Sequence, residues 1–375
     1  MYRLRDSRGI ALVVAMYALV ILGALVSAMF FLSVLEERLG LATLKLGSAL
    51  NAADAGAAEV LVRWDRDAYN QLPQGGTVTI APRPLSSSAW YQGSVKRLNR
   101  RLFYVAVDGY SRDSTSRQQV GLIARLAPLA VSVGAALTSH GPVTLGASSS
   151  VDGNDAPPAG WTDCPASAPP GPALRLSPPD SGAITLNDCS GYSCLSGNPM
   201  IQADSTIGAG PLTGLAGLQF SNLATLATKR LSGGSYVAIG PSTDFKGACD
   251  FSDPLNWGDP LSPLGPCGPY MPLIFIAGDA SISGTEGQGV LIVDGDLTIA
   301  GGLRFDGLVI VRGTLSLSGT GGRLVGAVEA GSATLDAGAL ASEATVRYSS
   351  CALSKALDAT ARPLPLGERR WVNRW

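Results

Sequence analysis

His140, in the segment SHGPV, is the sole histidine in a chain of 375 residues. A metal site built on several histidines is excluded, and a histidine base would rest on this residue alone. A turn role is the plainer reading. The six cysteines are Cys164, Cys189, Cys194, Cys249, Cys267 and Cys351. None form a CxxC pair, so zinc is not expected, and an even number points to disulfides. Six allow 15 pairings. The close pairs Cys189–Cys194 and Cys249–Cys267 are the first choice, which leaves Cys164 with Cys351. Asp244, Asp250, Asp253 and Asp259 cluster in TDFKGACDFSDPLNWGDP. Oxygen-rich loops bind calcium, but this spacing matches no EF-hand, and aspartate is a common turn former. No metal is assigned. Asp294, Asp296, Arg304, Asp306, Arg312 and Glu329 are of the kinds that cleave acidic polysaccharides on some right-handed β-helices. They are few and sit mostly beside glycines, where solvated turns belong. The expectation is therefore no enzyme and no cofactor.

The elements that position these residues begin with a membrane segment. Residues 10 to 35, IALVVAMYALVILGALVSAMFFLSVL, carry no charge. As a helix they reach roughly 39 Å, and about 20 residues span a bilayer. Arg3, Arg5 and Arg8 precede the run, and Glu36, Glu37 and Arg38 follow it. The positive-inside rule places the N-terminus in the cytoplasm and the rest outside. Apolar residues continue at helical spacing to about Trp64, with no proline before Pro73. One helix of about 55 residues follows, half in lipid and half exported. Lys+Arg number 28 against 29 Asp+Glu, so no basic face for nucleic acid is expected.

The basic leader ending in Arg8-Gly9, the immediate apolar run and the alanine-rich continuation resemble the class III leader of type IV pilins and pseudopilins. Glu36-Glu37-Arg38 followed by ALNAADAGAAE (49–59) is similar to the PilX family of minor pilin-like assembly proteins. The resemblance covers about 60 residues. It implies cleavage between Gly9 and Ile10, methylation of Ile10, and partners among other pilin subunits reached through the helix. Major pilins carry Glu at the fifth mature position, which here is Val14. The resemblance therefore implies a minor, tip or priming role in place of shaft incorporation. It also places the chain in a bacterial inner membrane, as a single pass with its later domains periplasmic or extracellular, and allows incorporation into pili. An uncleaved, membrane-anchored envelope adhesin or scaffold is the alternative.

Beyond the helix, GTVTIAP (76–82), RLFYVAVDGYS (101–111) and QQVGLIARL (118–126) alternate as strands do and form a small β unit. From about 130, glycine and serine rise. FIAGDASISG, LIVDGDLTIAG, VIVRGTLSLSG and AVEAGSATLDAG align on Gly278, Gly295, Gly313 and Gly331, at steps near 18. Such a period without helical pattern reads as a β-solenoid, one coil per repeat. Glycine corners then suit the positive φ of a tight bend. Ile276, Val293, Val311 and Val328 would form one inward column, and Ile282, Ile299, Leu317 and Leu335 another. Residues 136–155 and 182–189 are weaker echoes.

The expected fold is mainly β: a leader (1–9), a transmembrane helix (10–35), its exported continuation (36–68) and a small pilin-like β unit (69–128). A solenoid (129–352) follows, interrupted by disulfide-stapled insertions at about 155–272, with residues 353–375 as a tail or cap on the last coil. The inserted loops are the expected place for a surface or polysaccharide ligand.

Overall fold

The computed structural model describes residues 8–366 and 371–374, apart from 71, 88, 129, 130, 132, 147, 163, 165–167, 179–183, 188, 209–211, 213, 216, 217, 319–321 and 337–343. Residues 1–7 of the leader, Arg3 and Arg5 among them, lie outside the described residues, as do Arg369, Arg370 and Trp375.

Helix α1 runs unbroken over Arg8–Val62, 55 residues. Large side chains from Leu12 to Leu46 stand exposed, Phe30 by 75% and Leu44 by 71%. Farther along, Ala49, Ala52, Ala53, Gly56, Ala57 and Val60 are buried. Their three- and four-residue spacing makes one narrow face of small residues. That face lies on an antiparallel meander of β1 (Thr77–Ser86), β2 (Ala89–Arg97), β3 (Leu102–Ser111) and β4 (Arg117–Ala127). β1 holds Pro82 and Pro84, which an edge strand tolerates because its free side needs no N–H donors. At Gly109, a Cβ would overlap the Ala49 carbonyl and the Ala53 nitrogen, so β3 touches the helix backbone there.

The second β region is parallel. Strand Leu273–Ser283 pairs with Glu286–Val293 and with Leu297–Gly301, and both of these pair with Leu303–Leu317, closing a ring of parallel pairings. Leu303–Leu317 pairs onward with Gly322–Leu335. Successive partners are 17, 18 and 19 residues apart: Leu273 with Val290, Val290 with Leu308, Leu308 with Ala327. The pairing then turns back in sequence. Gly322–Leu335 pairs with Leu137–Ser139 and Val143–Leu145, and these pair with Leu174–Leu176 and Ile184–Leu186. Strand Lys229–Val237 joins the opposite end, beside Leu273–Ser283. The chain therefore enters the stack midway. Residues 155–272 supply several of its strands as well as loops, and strands of three residues among prolines are too short to show a period.

The column Ile282, Ile299, Leu317, Leu335 is in register and continues into Leu145 and Leu186. The other inward column differs from expectation. Val311 pairs with Ala330, and Val328 pairs with Val309, two residues from the expected register; a shift between Val311 and Thr314 accounts for one of the two. The apolar runs are buried on both faces. Ile276, Val293 and Val311 face the interior. Phe275, Ile292 and Ile310 pack instead under helices Phe220–Leu226 and Ser350–Thr360.

The C-terminus leaves the stack. Arg362–Pro365 and Trp371–Arg374 pair antiparallel with β4, so the end of the chain extends the first sheet. It does not lie along the last coil: β4 has an open edge whose backbone groups need partners, and these strands supply them.

Candidate functional site: the divided helix and the head it carries

Two hydroxyls in the exposed half of α1 bond back to the helix's own carbonyls. Ser27 Oγ donates to the Gly23 carbonyl at 2.8 Å and Thr43 Oγ1 to Leu39 at 2.8 Å. This helix is long and apolar enough to cross a membrane. Gly9 and Ile10 lie in its first turns. Val14 is 61% exposed and presents no carboxylate. Where the helix meets the sheet, Lys45 Nζ donates to Asp113 at 2.5 Å and to Thr115 at 3.3 Å. The Lys45 bond, then those from Ser111 and Thr115, holds the Asp113 carboxyl far below its usual range.

The head is fixed to this base by its C-terminal helix. Ser349 caps that helix by accepting from the Ala352 N–H. Arg100 and Arg101 pair with Asp358, and Asn70 Nδ2 donates to the Ala359 carbonyl at 3.1 Å. The cysteines join as Cys164–Cys351, Cys189–Cys194 and Cys249–Cys267, at sequence separations of 187, 5 and 18. The long link ties the loop after the first echo coil to the start of the C-terminal helix.

The aligned glycines are stacked, but bend geometry explains only the first. Gly278 has φ of +95°, and Gly295, Gly313 and Gly331 are not among the positive-φ glycines. Those three lack room: a Cβ on Gly295 would overlap Gly278, one on Gly313 the Asp296 carboxylate, and one on Gly331 the Arg312 carbonyl. A second column, Gly289, Gly307 and Gly326, went unread in the sequence. It has positive φ, and each later glycine sits against the carbonyl of the one before. Its signal was the glycine ahead of each apolar run, in GVLIV, GLVIV and GAVEA.

The charged residues of the repeats link one repeat to the next. Asp279 Oδ1 accepts from the Asp296 N–H at 2.8 Å, Asp296 Oδ1 from Thr314 N–H at 2.7 Å, and Arg312 pairs with Asp294 at 2.8 Å. Arg304 pairs with the buried Asp306, whose carboxyl burial pushes up and Arg304 pulls down. The four loop aspartates each accept backbone N–H groups of their own turns, from Lys246, Ser252, Leu255 and Ser262. No group of three or more metal-ligating side chains is present among the described residues.

His140 is not a simple turn residue. Its Nε2 lies 3.3 Å from Glu329 Oε1 and its Nδ1 3.1 Å from the Gly208 carbonyl. The Glu329 bond raises its pKa against the opposing effect of burial. Thr138 and Arg175 stand beside it on successive strands. Sequence reasoning missed this group because its members align only once residues 136–145 and 174–176 are placed in the stack.

No family model matches the chain, and no curated protein matches it. Among solved structures, the competence-associated pilin ComZ from Thermus thermophilus is similar at 11% identity, over 88% of this chain and 97% of that one, with a TM-score of 0.23.

Proposed function

We propose that this chain is a low-copy, PilX-like minor pilin of type IV pilus assembly that displays a β-solenoid head outside the cytoplasm. The observation that supports this reading is the division of one unbroken helix. Its second half is buried on the sheet through small residues, and along its first half large apolar side chains such as Leu12, Phe30 and Phe31 stand exposed, unburied by any described residue. Lipid solvates such a surface, and other pilin helices can replace lipid against it. Val14, where a shaft subunit has a carboxylate, favours a priming or tip position. Parallel rungs at steps of 17 to 19 residues support the solenoid. The head is read as structural and non-catalytic.

Intact mass of the native N-terminus, together with subunit counting in sheared pili, tests the proposal. A product beginning at N-methyl-Ile10 and present far below the major subunit is expected. Abundance equal to the major subunit would overturn the minor role. Uncleaved protein absent from pili would establish the anchored adhesin instead.

A further inference from the structure

A cleft of about 260 Å3 on the head is lined by Thr138, His140, Arg175, Thr206, Ile207 and Glu329. Glu329, Thr138 and Arg175 share one register position on three successive parallel strands. Strands lie about 4.8 Å apart, so three different polar residues line one opening over about 10 Å.

The ionisable groups of the cleft already have partners. His140 pairs with Glu329, and Arg175 pairs with Asp204, to which its Nε donates at 2.7 Å. Asp204 also accepts the Thr206 hydroxyl at 2.6 Å and the Thr206 N–H at 2.7 Å. None of the four paired side chains is more than 20% exposed. With Arg175 held by Asp204 and His140 by Glu329, the lining offers no unpaired cation to hold an anion. Thr138 is the exception to this satisfaction. It is 5% exposed, and its Oγ1 is buried with no hydrogen-bond partner among the described residues. Buried hydroxyls are ordinarily paired, so one left unpaired in the wall of a cleft marks the place of a missing partner.

We infer that this cleft binds a neutral, hydroxyl-rich ligand: one sugar ring of a surface glycan. Each sugar hydroxyl both donates and accepts, which is what an unpaired threonine hydroxyl, a carboxylate and a guanidinium set side by side can use. Ile207 gives an apolar patch for the ring's C–H face. The volume falls just below the about 300–1,000 Å3 of drug-sized sites, in keeping with a single ring. The inference holds whether or not α1 enters a pilus, so it stands or falls separately from the assembly role.

The test uses the full chain in nanodiscs and saturation-transfer NMR, with the methyl glycosides of glucose, galactose, mannose and N-acetylglucosamine as probes. Transfer to at least one is expected. Thr138→Val and Glu329→Gln should each weaken that binding about tenfold or more, as loss of a ligand hydrogen bond in a buried site does. Thr138→Val breaks no side-chain hydrogen bond among the described residues, so its Tm should match or exceed the parent's, which keeps the test valid should Glu329→Gln fail to fold. No transfer to any of the four probes, or unchanged binding by Thr138→Val, overturns the inference.

Discussion

β3 lies between two antiparallel neighbours, and strand Leu303–Leu317 between parallel ones. Along β3, buried residues alternate with half-buried ones, because one face meets α1 and the other meets solvent. From Phe305 to Val311 the parallel strand is buried without a break. Its inner side chains fill the stack and its outer ones lie under two helices. Glycine serves both regions, differently. Gly109 admits one helix to one strand, whereas Gly289, Gly307 and Gly326 stack backbone on backbone along the whole column. The antiparallel unit therefore has one apolar seam to lose, and the stack depends on every layer.

Val311→Asp should show this most strongly. It places an unpaired charge at a fully buried position, and a loss of more than about 4 kcal/mol is expected. Hydrogen exchange read by mass spectrometry should show deprotection of residues 273–335 while β2 and β3 keep theirs. Arg312→Ala, next to it but half exposed, should change stability by less than about 0.5 kcal/mol. Equal effects would mean that the inward register is wrong.

Removing the long disulfide with Cys164→Ser and Cys351→Ser should cost about 2–5 kcal/mol, given the 187-residue separation it closes. Its loss should act on the docking of helix Ser350–Thr360, so exchange should rise first there. Uniform deprotection of head and sheet would show instead that the two regions unfold as one.

Gly109→Ala tests the antiparallel seam. The new methyl meets the α1 backbone, which must lift by about an ångström, at about 3 kcal/mol or more. The exported half of α1 should lose protection while the stack is untouched. An unaffected helix would mean that the small-residue face does not set the helix-to-sheet distance.

How far the sequence could be read follows the same division. The apolar run and the alternation of 101–111 and 118–126 were readable because each element carries its own period. The steps near 18 were readable from residues 275 to 338, where every coil is complete. They were unreadable where the chain crosses to the far end of the stack between Ala203 and Lys229, since no local pattern encodes a change of place. The final strands joining β4 were hidden for the same reason. They pair with residues more than 230 positions away, and RPLP resembles a loop. The cleft around Thr138 needed the register between Glu329 and Thr138, which crosses that same jump.

The smallest expected effect lies at that crossing, where the His140–Glu329 pair ties the strands on either side of the junction. The folded protein raises the His140 pKa above its ordinary value of about 6.5, chiefly through the Glu329 bond. A raised pKa means that folding favours the protonated ring. Its contribution is fully present below about pH 6.5 and is lost as pH rises through the folded value. Between pH 6 and pH 8 the Tm of the head should fall by no more than about 2–4 °C, the shift that an ion pair of up to about 1 kcal/mol gives a unit this size. His140→Gln should remove this part of the pH dependence. The antiparallel unit, without a histidine, should melt alike at both values. A head whose Tm rises over that range, or a His140→Gln variant that keeps the parent's slope, would show that the pair does not clasp the junction.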